Sequence, residues 1–188
     1  TDQPNASRKE NVPLCVDLDG TLIKTDLLWE SLALLIRRNP LRIVSALFWW
    51  MRGRAFLKQK LAARVQVDAT TLPYNETFLA FLRAEKQKGR KLILATASDR
   101  KMAQPVFDHV GLFEELLASD GKTNLRGEAK RKLLVERLGE RGFDYAGNSS
   151  VDLAGWPSAR EAIVVNASRR LVDRVAQQTK LGPTFIEG

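Results

Sequence analysis

The chain has 188 residues, 44% of them hydrophobic, enough for one sizeable core and a small inserted unit. A single cysteine, Cys15, and a single histidine, His109, exclude an internal disulfide and any multi-cysteine or multi-histidine metal centre; they also argue against a Ser/His/Asp triad, so metal chemistry here must use oxygen ligands. The net charge of +8 favours anionic partners such as phosphorylated metabolites, lipid headgroups or nucleic acid, although a solvated basic surface carries the same charge.

Residues 1–10, TDQPNASRKE, are polar and read as a flexible N-terminal tail. Val12, Leu14, Cys15, Val16 and Leu18 form an apolar run that predicts a buried strand, interrupted by Asp17 and Asp19 and turned at Gly20. A long helical region follows, from about 26 to 85. Asp26 is placed to cap DLLWESLALLI, RRNP breaks that helix, LRIVSALFWWM resumes, and GRAFLKQKLAARV follows a glycine. TTLPYNETFLAFLRAEKQKG predicts a capped helix ending at Gly89. From there the rhythm changes. KLILATAS (91–98) predicts a strand, DRKMAQPVFDHVGL a helix, ELLAS (115–119) a short strand and GEAKRKLLVERLGERG a helix. FDYAGN (143–148) predicts a strand, VDLAGWPSAREA a helix, AIVVN (162–166) a strand, SRRLVDRVAQQTKLG a helix and PTFIEG an extended end. Such alternation implies an α/β fold, a parallel sheet covered by helices on both faces.

In sheets of this kind ligands bind beyond the carboxyl ends of the strands. Asp17 and Asp19 end the first strand, Thr96 and Ser98 the second, and Asn148 and Asp152 follow a later one. Carboxylates as close as Asp17 and Asp19 repel unless a cation lies between them, and Mg²⁺, a hard ion that takes oxygen ligands, fits. One carboxylate could then attack phosphorus to give an aspartyl phosphate while the other shuttles a proton to the leaving oxygen. Thr96 offers a hydroxyl and nearby backbone N–H groups for phosphate oxygens. A cation should balance the phosphoryl charge. In the helix whose buried face holds Leu133, Leu134 and Leu138, Lys132 points away, while Lys130 and Arg131 occupy the two edges and remain undistinguished. Each residue also has a plain structural role: acids form turns, Asp26 caps a helix, and basic residues make a solvated face.

DLDGTL, LILATAS, EAKRKLL and AGNSSVD, in that order, resemble the four motifs of haloacid dehalogenase superfamily phosphohydrolases. The resemblance implies a Rossmann-like core at 11–25 and 86–188, with an α-helical cap inserted at 26–85 as in phosphoserine-phosphatase-like members. It implies Asp17 as nucleophile, Asp19 as general acid/base, Thr96 on phosphate and Lys130 rather than Arg131 as the cation. Mg²⁺ would be held by Asp17, the backbone carbonyl of Asp19, Asn148 and Asp152. Gly20, Thr21, Ala97 and Ser98 would meet the substrate, as would Asp26 from the cap edge unless it serves only as a helix cap. One motif departs from the pattern. The fourth reads G-N where the family usually has G-D, so one negative charge is gone and metal affinity should fall. LPYNE, LATASDRK and FDYAGNSSVDL are further similar to domains preceding a UbiA-type prenyltransferase in bacterial fusions. That similarity implies a soluble portion of a longer membrane protein, acting on a prenyl or polyprenyl phosphate or on a phosphorylated product of the partner domain.

The stretch NPLRIVSALFWWMRGRAFLKQK sets Phe48, Trp49, Trp50 and Met51 beside Arg42, Arg52 and Arg54, which suits a helix in a headgroup layer or a cap packed on its core. Its apolar stretch IVSALFWWM is far short of the ~20 residues that span a bilayer, and the apolar start at Val12 meets Asp17 too soon for a signal peptide. The expected location is the cytoplasm, including the inner face of the membrane. Two functions compete: a Mg²⁺-dependent phosphatase, and a docking or regulatory module of a membrane prenyltransferase whose metal site Asn148 has spoiled. Nucleic-acid binding ranks last because the basic residues are scattered and no motif supports it. Within the enzyme reading, Asp19 argues against dehalogenation, and transfer to an acceptor other than water stays open.

Overall fold

A computed structural model describes residues 12–120 and 122–186, so the predicted tail at 1–10 lies outside the described residues. Six strands, β1 (Leu14–Val16), β2 (Leu92–Asp99), β3 (Glu115–Ser119), β4 (Asp144–Gly147), β5 (Glu161–Val165) and β6 (Lys180–Phe185), form one sheet in the order β3-β2-β1-β4-β5-β6. Every pairing is parallel. Strand order reverses direction at β1, which places β1 between β2 and β4 and opens a crevice at their carboxyl ends.

Side chains alternate across the sheet with the two-residue period of a strand. Leu14, Val16, Leu92 and Leu94 face α4 (Glu76–Gln87) and α5 (Arg100–Val110), packing with Phe78, Leu79, Leu82, Met102 and Val106. Cys15, Ile93, Ala95 and Tyr145 face the other way, with Leu134 of α6 (Glu128–Leu138) and Val175 of α7 (Arg169–Ala176). Both faces are covered, as the apolar runs require.

Between β1 and β2 the chain makes α1 (Leu27–Arg38), α2 (Arg42–Met51) and α3 (Arg54–Ala62). These three share a separate apolar cluster of Leu28, Leu35, Ala46, Leu57, Leu61 and Val65. Helix α4, grouped with the cap at 26–85 in the sequence, instead buries Phe78, Leu79 and Leu82 in the core beneath the sheet. Its start is fixed by Asn75, whose side chain accepts the Phe78 N–H.

Two predicted elements differ. VDLAGWPSAREA is two 3₁₀ turns, Asp152–Ala154 and Trp156–Ser158, rather than a helix. Gly155 and Pro157 weaken helix propagation there, and Trp156 is fully buried with its indole N–H donating to the Tyr145 carbonyl at 3.1 Å. The final helix stops at Ala176, and Lys180 onward joins the sheet edge beside β5. Pro183 is tolerated there because β6 has a neighbour on one side alone and its register shifts near Pro183.

At the opposite end of the strands from the crevice, Asp144 is 1% exposed and accepts from Arg90 and from Arg160 at 2.9 and 2.6 Å. Arg90 also donates to Glu85 at 2.8 Å and to the Val12 carbonyl at 2.9 Å, tying α4 to the start of β1. Asp144→Ala takes one of two carboxylate partners from the buried Arg90 and the partner of Arg160, an expected loss of ~3 kcal/mol in urea denaturation.

Candidate active site

The bend after β1 needs Gly20. Its φ is +78°, and a Cβ there would lie 2.1 Å from the Asn148 amide nitrogen. This turn brings both Asp17 and Asp19 to a cleft of about 760 Å³ at the crevice. Gly20, Asp26, Ala97, Lys130, Asn148 and Asp152 line it from the core side, and Arg52, Phe56 and Lys58 border it from the cap. Lys58 also donates to the Ala97 carbonyl at 3.3 Å, joining α3 to β2.

Asp17 lies within this cleft, largely buried. Its Oδ1 accepts from Lys130 Nζ at 2.6 Å. The same ammonium donates to the Tyr145 hydroxyl at 3.0 Å, which donates in turn to Asp152 Oδ1 at 2.7 Å. Asp152 Oδ2 accepts from the backbone N–H groups of Asn148 and Ser149 at 3.2 and 3.0 Å and from the Ser149 hydroxyl at 3.1 Å. Gly147 is required beside it, since a Cβ would sit 2.7 Å from the Asp152 carboxyl carbon.

Asp19 is held differently. Oδ1 accepts the Leu27 N–H at 2.8 Å and Oδ2 accepts the Ser98 hydroxyl at 2.6 Å. Asp26 caps α1 through the Leu28 N–H at 2.8 Å while also lining the cleft.

Burial dominates the electrostatics. It pushes the Asp17 carboxyl upward, Lys130 pulls it back, and the nearby Asp152 and Asp19 raise it again. Burial works against the Lys130 ammonium too, but Asp17 and Asp152 outweigh it and hold the proton on. Asp19 is raised by burial and then by Asp26, against the lowering effect of the Leu27 and Ser98 donors. The Tyr145 phenol is lifted well above its usual range by burial and Asp152, so it stays protonated and keeps donating. Burial pushes the Cys15 thiol up to about 12, which leaves it inert at neutral pH.

The cleft thus gathers Asp17, Asp19, Gly20, Asp26, Ala97, Lys130, Asn148 and Asp152. Three expected site residues stand behind that surface. Thr96 is fully buried, its hydroxyl oxygen accepting the Ser98 N–H at 2.9 Å while its proton remains to donate. Ser98 is 1% exposed and spends its hydroxyl on Asp19, so it orients the acid rather than meeting substrate. Thr21 is fully buried, and its hydroxyl has no partner among the described residues. Of the two basic candidates, Lys130 reaches Asp17, whereas Arg131 pairs with Glu128 at 2.5 Å and donates to Ser158 at 3.1 Å.

Tyr145 and Ser149 were missed, and an aromatic in a buried strand carries no signal other than core. Among the described residues no group of three or more His, Cys, Asp or Glu is arranged to hold a metal. The available donors are the carboxylates of Asp17 and Asp152, the Asn148 amide and the Asp19 carbonyl, all hard oxygens. Asp152 raises Asp17 by repulsion, which a divalent cation between them would relieve, so this donor set fits Mg²⁺.

The model of the haloacid dehalogenase-like hydrolases matches residues 14–155, from the first residue of β1 through the Asp152 turn. This chain belongs to that family. It is 36% identical over 176 residues to the uncharacterised protein y4nM of Sinorhizobium fredii, covering 94% of this chain. It spans 33% of that relative's length. The fold is similar to that of a protein of unknown function from Bordetella pertussis, with a TM-score of 0.67 and 18% identity over 93% of this chain and 97% of that one. It is similar also to a substrate-bound phosphoserine phosphatase, with a TM-score of 0.62 and 12% identity over 94% and 93% of the two chains. As a haloacid dehalogenase-like hydrolase domain, the chain has a six-stranded Rossmann-like sheet of the phosphoserine phosphatase type. No helix among the described residues is long and apolar enough to cross a membrane.

Proposed function

We propose that this hydrolase is a Mg²⁺-dependent phosphatase that cleaves a phosphomonoester through an aspartyl phosphate on Asp17. The carrying observation is the 2.6 Å contact between Lys130 and Asp17 inside the cleft, beside an Asp19 oriented by two donors of its own. Asp17 attacks phosphorus, and the ester oxygen leaves with a proton from Asp19. A water then gives its proton to Asp19 and attacks the same phosphorus, which breaks the acyl phosphate, releases phosphate and restores the Asp17 carboxylate. Lys130 balances the negative charge of the phosphoryl group throughout. Asp17, Asp152, Asn148 and the Asp19 carbonyl would hold Mg²⁺, which when bound neutralises phosphoryl charge. Phe56 and Arg52 at the cleft's border suit a phosphate on an apolar alcohol, a prenyl phosphate by class.

Asn148 favours a second reading, a docking or regulatory module of a membrane prenyltransferase that retains the fold without turnover. Hydrolysis of an aryl phosphate with increasing Mg²⁺ separates the two. In the phosphatase reading the wild-type chain turns over, and Asn148→Asp, which restores a carboxylate, shifts half-saturation to roughly tenfold lower Mg²⁺. Calorimetric titration of Mg²⁺ should report the same shift without substrate. A wild-type chain silent at every Mg²⁺ concentration, with activity gained in Asn148→Asp, would establish the module instead.

A further inference from the structure

The basic residues are scattered along the chain, but their excess over acidic residues is not. Of the 30 Lys and Arg, 8 lie in residues 31–67, which contain no Asp or Glu; the other 22 match the 22 Asp and Glu elsewhere. The whole surplus therefore belongs to the stretch that carries most of α1, all of α2 and α3, and the turn after α3.

Within that stretch α2 faces the wrong way for a soluble helix. Ile43, Val44, Leu47, Phe48, Trp50 and Met51 are each between 54% and 80% exposed. At 100° per residue they occupy about half of the helix circumference without a gap. The opposite side sends Ala46 and Trp49 into the cap's own cluster. An exposed apolar face of this extent marks an interaction site.

The surrounding charges decide what covers it. Arg42 begins α2 and Arg52 follows it, Arg37 and Arg38 end the preceding helix, and all four are exposed. The Arg52 guanidinium lies 5.9 Å from the Phe48 ring centroid and 4.9 Å from that of Phe56. Two copies of this face would set cations against cations, so self-association is opposed. An anionic bilayer complements both features: the apolar side chains enter the acyl boundary and the guanidiniums meet phosphates. A ten-residue helix cannot cross, so it would lie in the plane of the surface. We propose that α2, with its flanking arginines, docks this domain on an anionic membrane surface. Arg52 and Phe56 also line the cleft, which makes the docking face continuous with the cleft's border.

Co-sedimentation with vesicles tests this without any turnover. The chain should pellet with vesicles of equal parts phosphatidylglycerol and phosphatidylcholine at low salt, and at least about tenfold less with pure phosphatidylcholine or in high salt. Val44→Glu combined with Phe48→Glu, both at exposed positions, should reduce binding at least about tenfold with unchanged melting. Asp17→Asn should bind as the wild type does, which keeps this result separate from the phosphatase reading. Absence of binding to the anionic vesicles, or equal binding by the doubly substituted chain, overturns the proposal. So does a dimer dissolved by the same substitutions in a chain that ignores vesicles.

Discussion

Asp17→Asn is expected to lower phosphomonoester hydrolysis by roughly 10⁴-fold or more, because an amide oxygen is far too weak a nucleophile to form the phosphoenzyme. The substitution is nearly isosteric, and its oxygen can still accept the Lys130 bond that Asp17 Oδ1 accepts at 2.6 Å. The fold should therefore persist. Burial already disfavours the Asp17 charge, so losing that charge removes a desolvation penalty along with an ion pair. Thermal melting near the wild-type temperature beside abolished turnover is the expected pattern. Residual activity above about a tenth of wild type would place the nucleophile elsewhere.

Lys130→Met should be damaging in both respects. Its ammonium touches Asp17 at 2.6 Å, and in the proposed phosphatase it balances phosphoryl charge there, a role whose loss costs roughly 10² to 10³-fold in kcat. It also donates to Asp17 and to Tyr145, which holds Asp152, so its removal leaves two buried carboxylates without their shared cation. Breaking one side of a buried pair costs about 3 kcal/mol, readable in urea denaturation. Because Asp17 and Lys130 touch, the two effects should not add. The double variant Asp17→Asn/Lys130→Met should recover part of the lost stability, since neither carboxylate nor ammonium is then stranded at that contact. A double variant as unstable as the sum of its parts would show that Lys130 acts on stability mainly through Tyr145 and Asp152.

Much of the core was legible locally. Apolar runs of strand length, each followed by a helix-period segment, predict a parallel sheet because only buried strands are apolar on both faces. DLDGTL was informative because a buried run that stops at two acids and a glycine is a poor structural choice without a site to serve. Where prediction failed, local pattern was overruled by tertiary partners. The segment after Asp152 has apolar residues at helical spacing, yet Trp156 leaves that period to fill the space beside Tyr145, 6.3 Å between ring centroids. The extended end was predicted from Pro183 onward, but Lys180, Leu181 and Gly182, read as the close of the final helix, extend too because β5 offered an unpaired edge, which no local preference reveals.

The site divides along the same line. Sequence by itself determined which residue types stand at the strand ends, that oxygen ligands must serve any metal, and that the fourth motif carries Asn148 in place of a carboxylate. Helical spacing left Lys130 and Arg131 level and the motif resemblance favoured Lys130, while tertiary structure sets Lys130 against Asp17 and pairs Arg131 with Glu128. Tertiary structure alone turned Tyr145 from a core aromatic into the link between Lys130 and Asp152, and put Ser98 behind Asp19. It likewise decided that the apolar side of α2 faces outward. Periodicity along a helix shows that two faces differ, while which of them is covered depends on contacts between segments distant in the chain.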